Sequence, residues 1–325
     1  MEREDSPVER EGFSRAIRHA QTLLATHFAP TPLVHAASLD TGGRRVYLKI
    51  ESDLPTGSFK VRGAVYAMAR HVERHGTTPV IAASTGNHGA AVAYAGQLLH
   101  VPVTIFLPER ANPVKTRRIL DFGARLVATG SDLSAAIDAA YAEADRTGAF
   151  FLHDATDPDI PAGTATIGAE IVTQLPAADA IFVPMGDTAL IRGVATAAKQ
   201  LKPSIRIVGV AAANAPAYVL SWRGGGAVST DTAKTIADGL AVRRALASNV
   251  KAIATLVDDV RLVEEEELLA AMAHLWSRET VTAEPAAAAA TAALMKDSDT
   301  AGTIVALVTG KNIAPQLLER LQTHA

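Results

Sequence analysis

Short, almost continuously apolar runs alternate with helix-like stretches along most of the chain. The runs A-I-F-V at 180–183 and I-R-I-V-G-V at 205–210 carry apolar side chains at nearly every position, not at every second one. A strand of this composition has to be covered on both faces, as it is when helices flank a parallel sheet. The alternation therefore predicts an α/β fold built from wound parallel sheets.

The same patterns give bounds for the individual elements. The predicted strands lie at 46–50, 79–83, 103–107, 125–128, 149–152, 180–183, 205–210 and 303–308. The predicted helices lie at 13–27, 58–74, 88–99, 113–122, 133–146, 188–201, 264–278 and 285–295. The last of them includes an alanine run, which fits a helix interior because alanine has the highest helix propensity. A chain of 325 residues is long enough to form two domains.

Composition narrows the class of protein. With 20% charged residues, a formal net charge of −3 and no basic stripe, the sequence predicts no nucleic-acid partner. The absence of cysteine excludes disulfide bonds, thiolate zinc sites and a cysteine nucleophile. The N-terminal residues lack the apolar core of a signal peptide, and no run reaches the ~20 apolar residues of a membrane span. We therefore expect a cytoplasmic protein with no membrane partner.

One lysine falls at an unusual place. The segment S-F-K-V-R-G-A at 58–64 follows the turn signal L-P-T-G and leads into a helix with apolar periodicity. Its lysine, Lys60, lies in the first turn of that helix, where the helix dipole disfavours a cation. Two interpretations are open from the residues alone. Lys60 is either a solvated lysine on a helix flank or a reactive amine, close to backbone donors, that forms a Schiff base.

Two further polar loops join a strand to a helix. They are S-T-G-N-H-G at 84–89 and V-P-M-G-D-T-A-L-I-R-G at 183–193. Ligands bind at the carboxyl ends of strands in open α/β sheets, and the N–H groups at a helix start suit a phosphate. Either loop is equally compatible with an ordinary helix cap and turn glycines. The second loop matches neither the Walker P-loop nor G-x-G-x-x-G, so a nucleotide-binding interpretation has little support.

Five segments of the sequence resemble motifs of the threonine dehydratase and serine racemase family of pyridoxal-phosphate enzymes. This family has the tryptophan-synthase-β-like fold, also called fold type II. The resemblance extends from about Thr31 to the C-terminus, and the lysine motif is its most specific part. In family order the segments are S-F-K-V-R-G-A (58–64), S-T-G-N-H (84–88), T-I-A-D-G (235–239), A-E-P-A (283–286) and T-G-K-N (309–312).

The resemblance implies that the cofactor is pyridoxal 5′-phosphate. Lys60 would carry it in a Schiff base and then remove the Cα proton of the substrate. Phe59 is expected to pack beside the cofactor ring, Asn87 to hydrogen-bond its 3′-oxygen, and Thr309 to face the pyridine nitrogen. A neutral hydroxyl opposite that nitrogen leaves it unprotonated, which favours β-elimination over transamination, because the protein steers the chemistry through the groups it places around the ring.

The resemblance also assigns the phosphate and substrate contacts. Backbone N–H groups of the loop after the strand at 180–183 would bind the phosphate. The expected phosphate loop consists of Gly186, Asp187, Thr188, Ala189 and Leu190, and Gly239 and Glu284 complete the expected cofactor-binding set. The expected substrate pocket consists of Ser84, Thr85, Gly86, Asn87 and His88.

Three features depart from the family pattern. Asp187, Thr188 and Ala189 interrupt what is usually a run of glycines. Thr85 lies where dehydratases often have alanine and where racemases have a serine that acts from the opposite ring face, so Thr85 is a second catalytic candidate. The segment A-A-A-N-A-P-A at 211–217 contains no carboxylate for the divalent cation that many members bind, so we expect no metal.

The motifs together predict an ammonia-lyase that removes the β-hydroxyl from a small threonine- or serine-type amino acid, giving a 2-oxo acid and ammonia. By analogy we expect a homodimer, with the cofactor in a cleft between a small domain at 51–146 and a large domain at 1–50 and 147–325. Three alternatives stay open. They are an amino-acid racemase, a β-replacement synthase, and a non-catalytic protein that binds the cofactor or an amino acid on the same fold. The last is disfavoured because such a protein has little use for Lys60.

Overall fold

The computed structural model describes residues 7–111 and 113–323. The helices are α1 (Pro7–Ala25), α2 (Lys60–His75), α3 (Asn87–Leu99), α4 (Pro113–Asp121), α5 (Leu133–Thr147), α6 (Ile160–Gln174), α7 (Ala189–Leu201), α8 (Ala217–Gly224), α9 (Ala247–Leu256), α10 (Glu265–Arg278), α11 (Pro285–Lys296) and α12 (Pro315–Thr323). The strands are β1 (Leu33–His35), β2 (Arg44–Ile50), β3 (Val80–Ala83), β4 (Val103–Leu107), β5 (Arg125–Ala128), β6 (Phe150–Phe151), β7 (Ala180–Pro184), β8 (Arg206–Ala212), β9 (Asp259–Val263) and β10 (Gly302–Val308). The predicted α/β class is confirmed. None of these helices has the length and apolar character that a bilayer crossing requires.

The chain forms two compact units, each with its own sheet. Among the described residues, the first unit consists of residues 7–28 and 59–164, and the second of residues 29–58 and 165–323. Residues 1–6, which the sequence analysis assigns to the large domain, lie outside the described residues. The predicted domain limits, a small domain at 51–146 within a large one, stay a prediction.

The sheet of the first unit has the strand order β5-β4-β3-β6 and is parallel throughout. Its strand β3 pairs with β4 along its whole length and with β6 through Val80–Phe150 and Ile81–Phe151. Helices α3 and α5 pack against these strands. Because the four strands run in one direction, the loops that follow β3 and β6 lie side by side at the same edge of the sheet.

The sheet of the second unit has the order β1-β2-β10-β7-β8-β9. It is parallel except for β1, which pairs antiparallel with β2. Strand β7 is buried at all five positions, as its continuous apolar run predicts. Helix α11 packs against β7 and β10 through alanines 286–290, which are all buried. Their small side chains let the helix lie close to the sheet, so the alanine run is a helix interior as expected.

Helices α6, α8, α9 and α12 and strands β1 and β9 are not among the predicted elements. Helix α6 shows why, because residues 160–169 are buried on all sides and leave no amphipathic pattern. Its glycines weaken the helical signal further, yet the packing requires them. A Cβ at Gly163 would lie 2.6 Å from the carbonyl oxygen of Arg62, and a Cβ at Gly168 would lie 2.3 Å from that of Val194.

Candidate active site

Lys60 is the first residue of helix α2, and its side chain is only 22% exposed. Its Nζ donates a hydrogen bond to Oδ2 of Asp154 at 2.8 Å. The same Nζ lies 5.5 Å from the centroid of the Phe59 ring. Lys60 is therefore a partly buried amine held by a carboxylate, and a solvated flank position does not describe it.

The segment just before Lys60 is fixed by the turn at 310–312. Gly57 has a φ of +67°, in the left-handed region that favours glycine, and a Cβ there would lie 2.6 Å from Oδ1 of Asn312. Nδ2 of Asn312 donates to the carbonyl oxygen of Thr56 at 3.0 Å, and the backbone N–H of Lys311 donates to that of Gly57 at 2.9 Å. The T-G-K-N motif thus holds the backbone that leads into the lysine motif.

The loop after β3 and the segment after β6 meet at the carboxyl edge of the first sheet. His88, in the first turn of α3, is 5% exposed, and its Nε2 donates to the carbonyl oxygen of Leu152 at 3.1 Å. Within the loop, the backbone N–H of Gly86 donates to Oγ of Ser84 at 3.1 Å. Asp154 follows two residues after Leu152, so the predicted substrate loop, Lys60 and this carboxylate belong to one edge.

The charges at this edge are coupled. Burial raises the pKa of Asp154, but the positive charge of Lys60 and the neighbouring His88 lower it more, so the pKa of Asp154 is held well below its usual range. Burial lowers the pKa of His88, and the nearby Asp154 only partly offsets that effect. At neutral pH, Asp154 is therefore a carboxylate and His88 is a neutral imidazole.

Sequence reasoning missed Asp154 and its neighbour His153. No motif pointed to them, yet they directly follow the predicted strand at 149–152. Residues at the carboxyl end of a parallel strand are candidates for a ligand site. Applying that rule to every predicted strand, and not only to the strands that precede a motif, would have found both residues.

The predicted phosphate loop lies at the carboxyl end of β7 and leads into α7. A Cβ at Gly186 would lie 2.3 Å from the carbonyl oxygen of Gly239, so a side chain does not fit there. Thr188 precedes α7 with a φ of 71° and is buried. Its Oγ1 is buried and has no hydrogen-bond partner among the described residues. A buried hydroxyl beside the first turn of a helix is a donor set that suits a phosphate.

Asp187 belongs to this loop, and its charge acts on the half-buried Arg192. Burial lowers the pKa of Arg192, and the charges of Tyr218 and Asp187 partly offset this effect. The carbonyl oxygen of Asp187 accepts a hydrogen bond from Nδ2 of Asn249 at 3.2 Å, and the same Nδ2 lies 3.2 Å from the Tyr218 hydroxyl. The expectation that the Asp187 carboxylate turns away from a phosphate stays a prediction.

The remaining predicted cofactor residues lie at the same edge of the second sheet. Thr309 directly follows β10, which is the neighbour of β7, and is 4% exposed. The backbone N–H of Glu284 donates to the carbonyl oxygen of Gly310 at 2.9 Å. A Cβ at Gly239 would contact Ala286 at 3.1 Å. In this unit the structure thus brings the E-P-A segment next to the T-G-K-N turn and next to the glycine of T-I-A-D-G.

The residues at the two edges fit a protein that binds pyridoxal phosphate. Each unit offers groups that pyridoxal phosphate needs. The first has an amine at Lys60, and the second has a buried hydroxyl at Thr188 that finds no hydrogen-bond partner within the described part of the chain, so the residues present fit this cofactor. In the part of the chain that the structure describes, no three acidic or histidine side chains are grouped to hold a metal ion. That activity needs no metal stays a prediction.

Comparison with known proteins identifies the family. A family model described as "Pyridoxal-phosphate dependent enzyme" matches residues 24–310. The chain belongs to this family, whose fold-type II members have the same parallel-sheet domains. The expected cofactor, pyridoxal 5′-phosphate, and the expected fold are thereby confirmed.

Three relatives illustrate the similarity. The chain is 36% identical to an L-threonine ammonia-lyase of Thermotoga maritima over 308 residues, which are 94% of this chain and 77% of that protein. Its structure is similar to the processed form of threonine deaminase isoform 2 from Solanum lycopersicum, with a TM-score of 0.92, 29% identity, and coverage of 98% and 89% of the two chains. It is also similar to maize serine racemase, with a TM-score of 0.89, 29% identity, and coverage of 95% and 97%.

Proposed function

We propose that this chain is a pyridoxal-phosphate-dependent ammonia-lyase that removes the β-hydroxyl from a small hydroxy-amino acid of the threonine or serine type. The products are a 2-oxo acid and ammonia. The observation that carries the proposal is the 36% identity to an L-threonine ammonia-lyase over 94% of the chain. The placement of Lys60 beside a carboxylate, at the carboxyl edge of a parallel sheet, supports it.

The proposed roles in the first unit centre on Lys60. The bound cofactor supplies an electron sink for the substrate Cα. Lys60 would hold the cofactor covalently through Nζ and then take the Cα proton at the same atom. Phe59 and Asn87 would orient the ring. The loop Ser84–His88 would bind the substrate carboxylate, since its backbone N–H groups lie at the start of α3.

In the second unit, the proposed roles are mostly those of neutral groups. The loop of residues 186–190, with Thr188 as its side-chain donor, would bind the phosphate. Gly239 and Glu284 would support the cofactor from the segments that pack beside this loop. Thr309 would face the pyridine nitrogen with a hydroxyl and leave that nitrogen unprotonated. A neutral partner of this kind favours loss of the β-hydroxyl over transamination.

A substrate panel tests the proposed function. The purified chain with pyridoxal phosphate is assayed for 2-oxo acid with L-threonine, L-serine, a bulkier β-hydroxy amino acid and β-hydroxyaspartate. We expect 2-oxo acid and ammonia in equal amounts from at least one of the two small substrates. Alanine, which lacks the β-hydroxyl, is the matched control. Absence of 2-oxo acid from all four hydroxy-amino acids would contradict the proposal.

A second candidate function is amino-acid racemisation. It is supported by the similarity to maize serine racemase and by the hydroxyl of Thr85 in the substrate loop. A racemase needs an acid/base group on each face of the ring, and a threonine hydroxyl is a poor base unless a neighbour activates it. We therefore expect elimination to be faster than racemisation. Formation of the D-isomer faster than 2-oxo acid would reverse this ranking.

The assembly and location follow from analogy with the family. We propose a homodimer in the cytoplasm that takes a small amino acid as its substrate. Light scattering after gel filtration is expected to give about twice the chain mass of 33.9 kDa. A mass equal to that of one chain would contradict the dimer, and recovery of the protein outside the cytoplasmic fraction would contradict the location.

A further inference from the structure

We propose that Asp154 is the charge partner that stabilises the Lys60 ammonium formed when Nζ takes the Cα proton of the substrate. The inference rests on the proposed function, in which Lys60 is the base. It assigns a role to a residue that belongs to none of the five motifs. Asp154 would act through Lys60, and is therefore a positioning residue.

The geometry of the Lys60–Asp154 pair supports this role. Oδ2 of Asp154 accepts the hydrogen bond from Nζ of Lys60 at 2.8 Å, and both side chains are only 22% exposed. Exposed ion pairs contribute little because water screens them, whereas partly buried pairs are screened much less. The two residues are 94 positions apart in the chain, so local helix geometry does not explain the pair.

The backbone holds Asp154 in place. The N–H of Asp157 donates to the carbonyl oxygen of His153 at 3.0 Å, and the N–H of Ala155 donates to Nδ1 of His153 at 3.0 Å. Nε2 of His88 binds the carbonyl oxygen of Leu152 at 3.1 Å. These bonds form a fixed turn around Asp154, so the carboxylate is presented to Nζ by the fold.

Three titratable groups face Asp154. They are Lys60, His88 and His153. Burial keeps the pKa of His88 below its ordinary value. Nδ1 of His153 lies 3.6 Å from Oδ1 of Asp154 and already accepts a backbone hydrogen bond, so it is not a donor to the carboxylate. Among the described residues, Lys60 is thus the cation that donates a hydrogen bond to Asp154.

The chemical consequence follows from charge. When Lys60 acts as the base, the Cα–H bond breaks, the proton bonds to Nζ and the electron pair stays on Cα. Nζ becomes an ammonium, and a carboxylate at hydrogen-bond distance lowers the energy of that ion and of the transition state that leads to it. The pair on Cα then forms the Cα–Cβ double bond as the Cβ–O bond breaks. The departing oxygen takes the proton from Nζ and leaves as water.

The first test needs no turnover. In the cofactor-free full-length chain, only the neutral form of Nζ reacts with acetic anhydride, and peptide mass spectrometry gives the labelling rate of Lys60 relative to Lys199. Because Asp154→Asn removes the charge that favours the ammonium, we expect Lys60 to be labelled about tenfold faster or more. Asp154→Glu should restore the slow rate. Asp159→Asn, which breaks the ion pair with Arg74 in the same segment, should leave it unchanged.

The second test uses the holoenzyme. Asp154→Asn should lower kcat by roughly 10- to 100-fold with a smaller change in KM, because the lost interaction belongs to the proton-transfer step. The deuterium isotope effect with Cα-deuterated substrate should rise in this variant, and Asp154→Glu should recover part of kcat. Equal Lys60 labelling in all four proteins, or a wild-type isotope effect in Asp154→Asn, would overturn the inference. Absence of 2-oxo acid from the wild-type chain would instead overturn the proposed function, while the labelling result would still decide on the ion pair.

Discussion

The carboxyl edges of the two sheets have different chemistry. At the edge of the first sheet, Lys60, Asp154 and His88 form a coupled set of titratable groups. At the edge of the second sheet, the predicted cofactor contacts are mostly neutral, with a buried hydroxyl at Thr188 and another at Thr309. Proton transfer needs groups that change charge, whereas anion binding works well with fixed dipoles. Groups suited to proton transfer are therefore found at the first edge, and groups suited to anion binding at the second.

The largest expected effect is at the edge of the first sheet, with Lys60, Asp154 and His88. Lys60→Ala should abolish turnover even where cofactor still binds, because it removes the residue proposed both to hold the cofactor covalently and to act as the base. Borohydride reduction of the wild-type holoenzyme should fix the cofactor to the peptide that contains Lys60. Lys199→Ala is the control, since this lysine pairs with Asp258 elsewhere on the chain, and it should keep full activity. Turnover by Lys60→Ala, or label on another lysine, would contradict the role proposed for Lys60.

A smaller effect is expected at the edge of the second sheet, with Thr188 and Thr309, which is called the neutral edge below. Thr188→Val keeps the β-branched shape but removes the buried Oγ1, and a hydrogen bond to a charged group contributes about 1.5–3 kcal/mol. We therefore expect the Kd for pyridoxal phosphate to rise by roughly 10- to 100-fold, as measured by fluorescence titration. Thr188→Ser should bind as the wild type does. Asp187→Asn should change Kd much less, and the opposite order would show that the loop binds phosphate in another way.

Asp154 and Asp157 lie on one segment at the edge of the first sheet, and we expect them to affect the pH dependence of stability in different ways. Burial raises the pKa of Asp157 to about 6, while the pKa of Asp154 is held below its usual range. The stability that Asp157 contributes is present below about pH 4 and is lost as the pH rises through 6. In urea unfolding between pH 4.5 and 7.5, the wild type should lose roughly 1–2 kcal/mol relative to Asp157→Asn. The difference between wild type and Asp154→Asn should stay flat, because a lowered pKa acts only at more acidic pH.

The smallest expected effect is that of chelation. The segment after β8 runs A-N-A-P-A at 213–217 and contains no carboxylate, and magnesium and calcium generally need carboxylates to bind in water. Steady-state turnover should therefore be unchanged after exhaustive chelation and after magnesium or calcium is added back. A large loss that metal restores would show that acidic residues from elsewhere, such as Glu170, complete a site at the neutral edge.

Sequence patterns predicted the elements best where a segment is covered on both faces or begins at a turn signal. The bounds of β4 and β5 match the predicted ranges, and α2 begins at the lysine of the motif. Helix α6 was missed because the glycines that its packing requires weaken the helical pattern. The site residues were likewise predicted only in part. Motifs led to Lys60. Asp154 belongs to no motif, and although its place after a predicted strand makes it a candidate, nothing in the sequence pairs it with a lysine 94 positions away.

Elimination of the β-hydroxyl is the reaction that the proposed roles of Lys60 and Asp154 require. It is tested most directly by proton NMR of L-threonine in D2O with the holoenzyme, which follows the Cα proton, 2-oxobutanoate and the D-isomers in one sample. We predict that the Cα signal disappears at the rate at which 2-oxobutanoate and ammonia form, with D-isomers as a minor product. Loss of the Cα signal without 2-oxobutanoate, or accumulation of D-isomers ahead of it, would contradict the account.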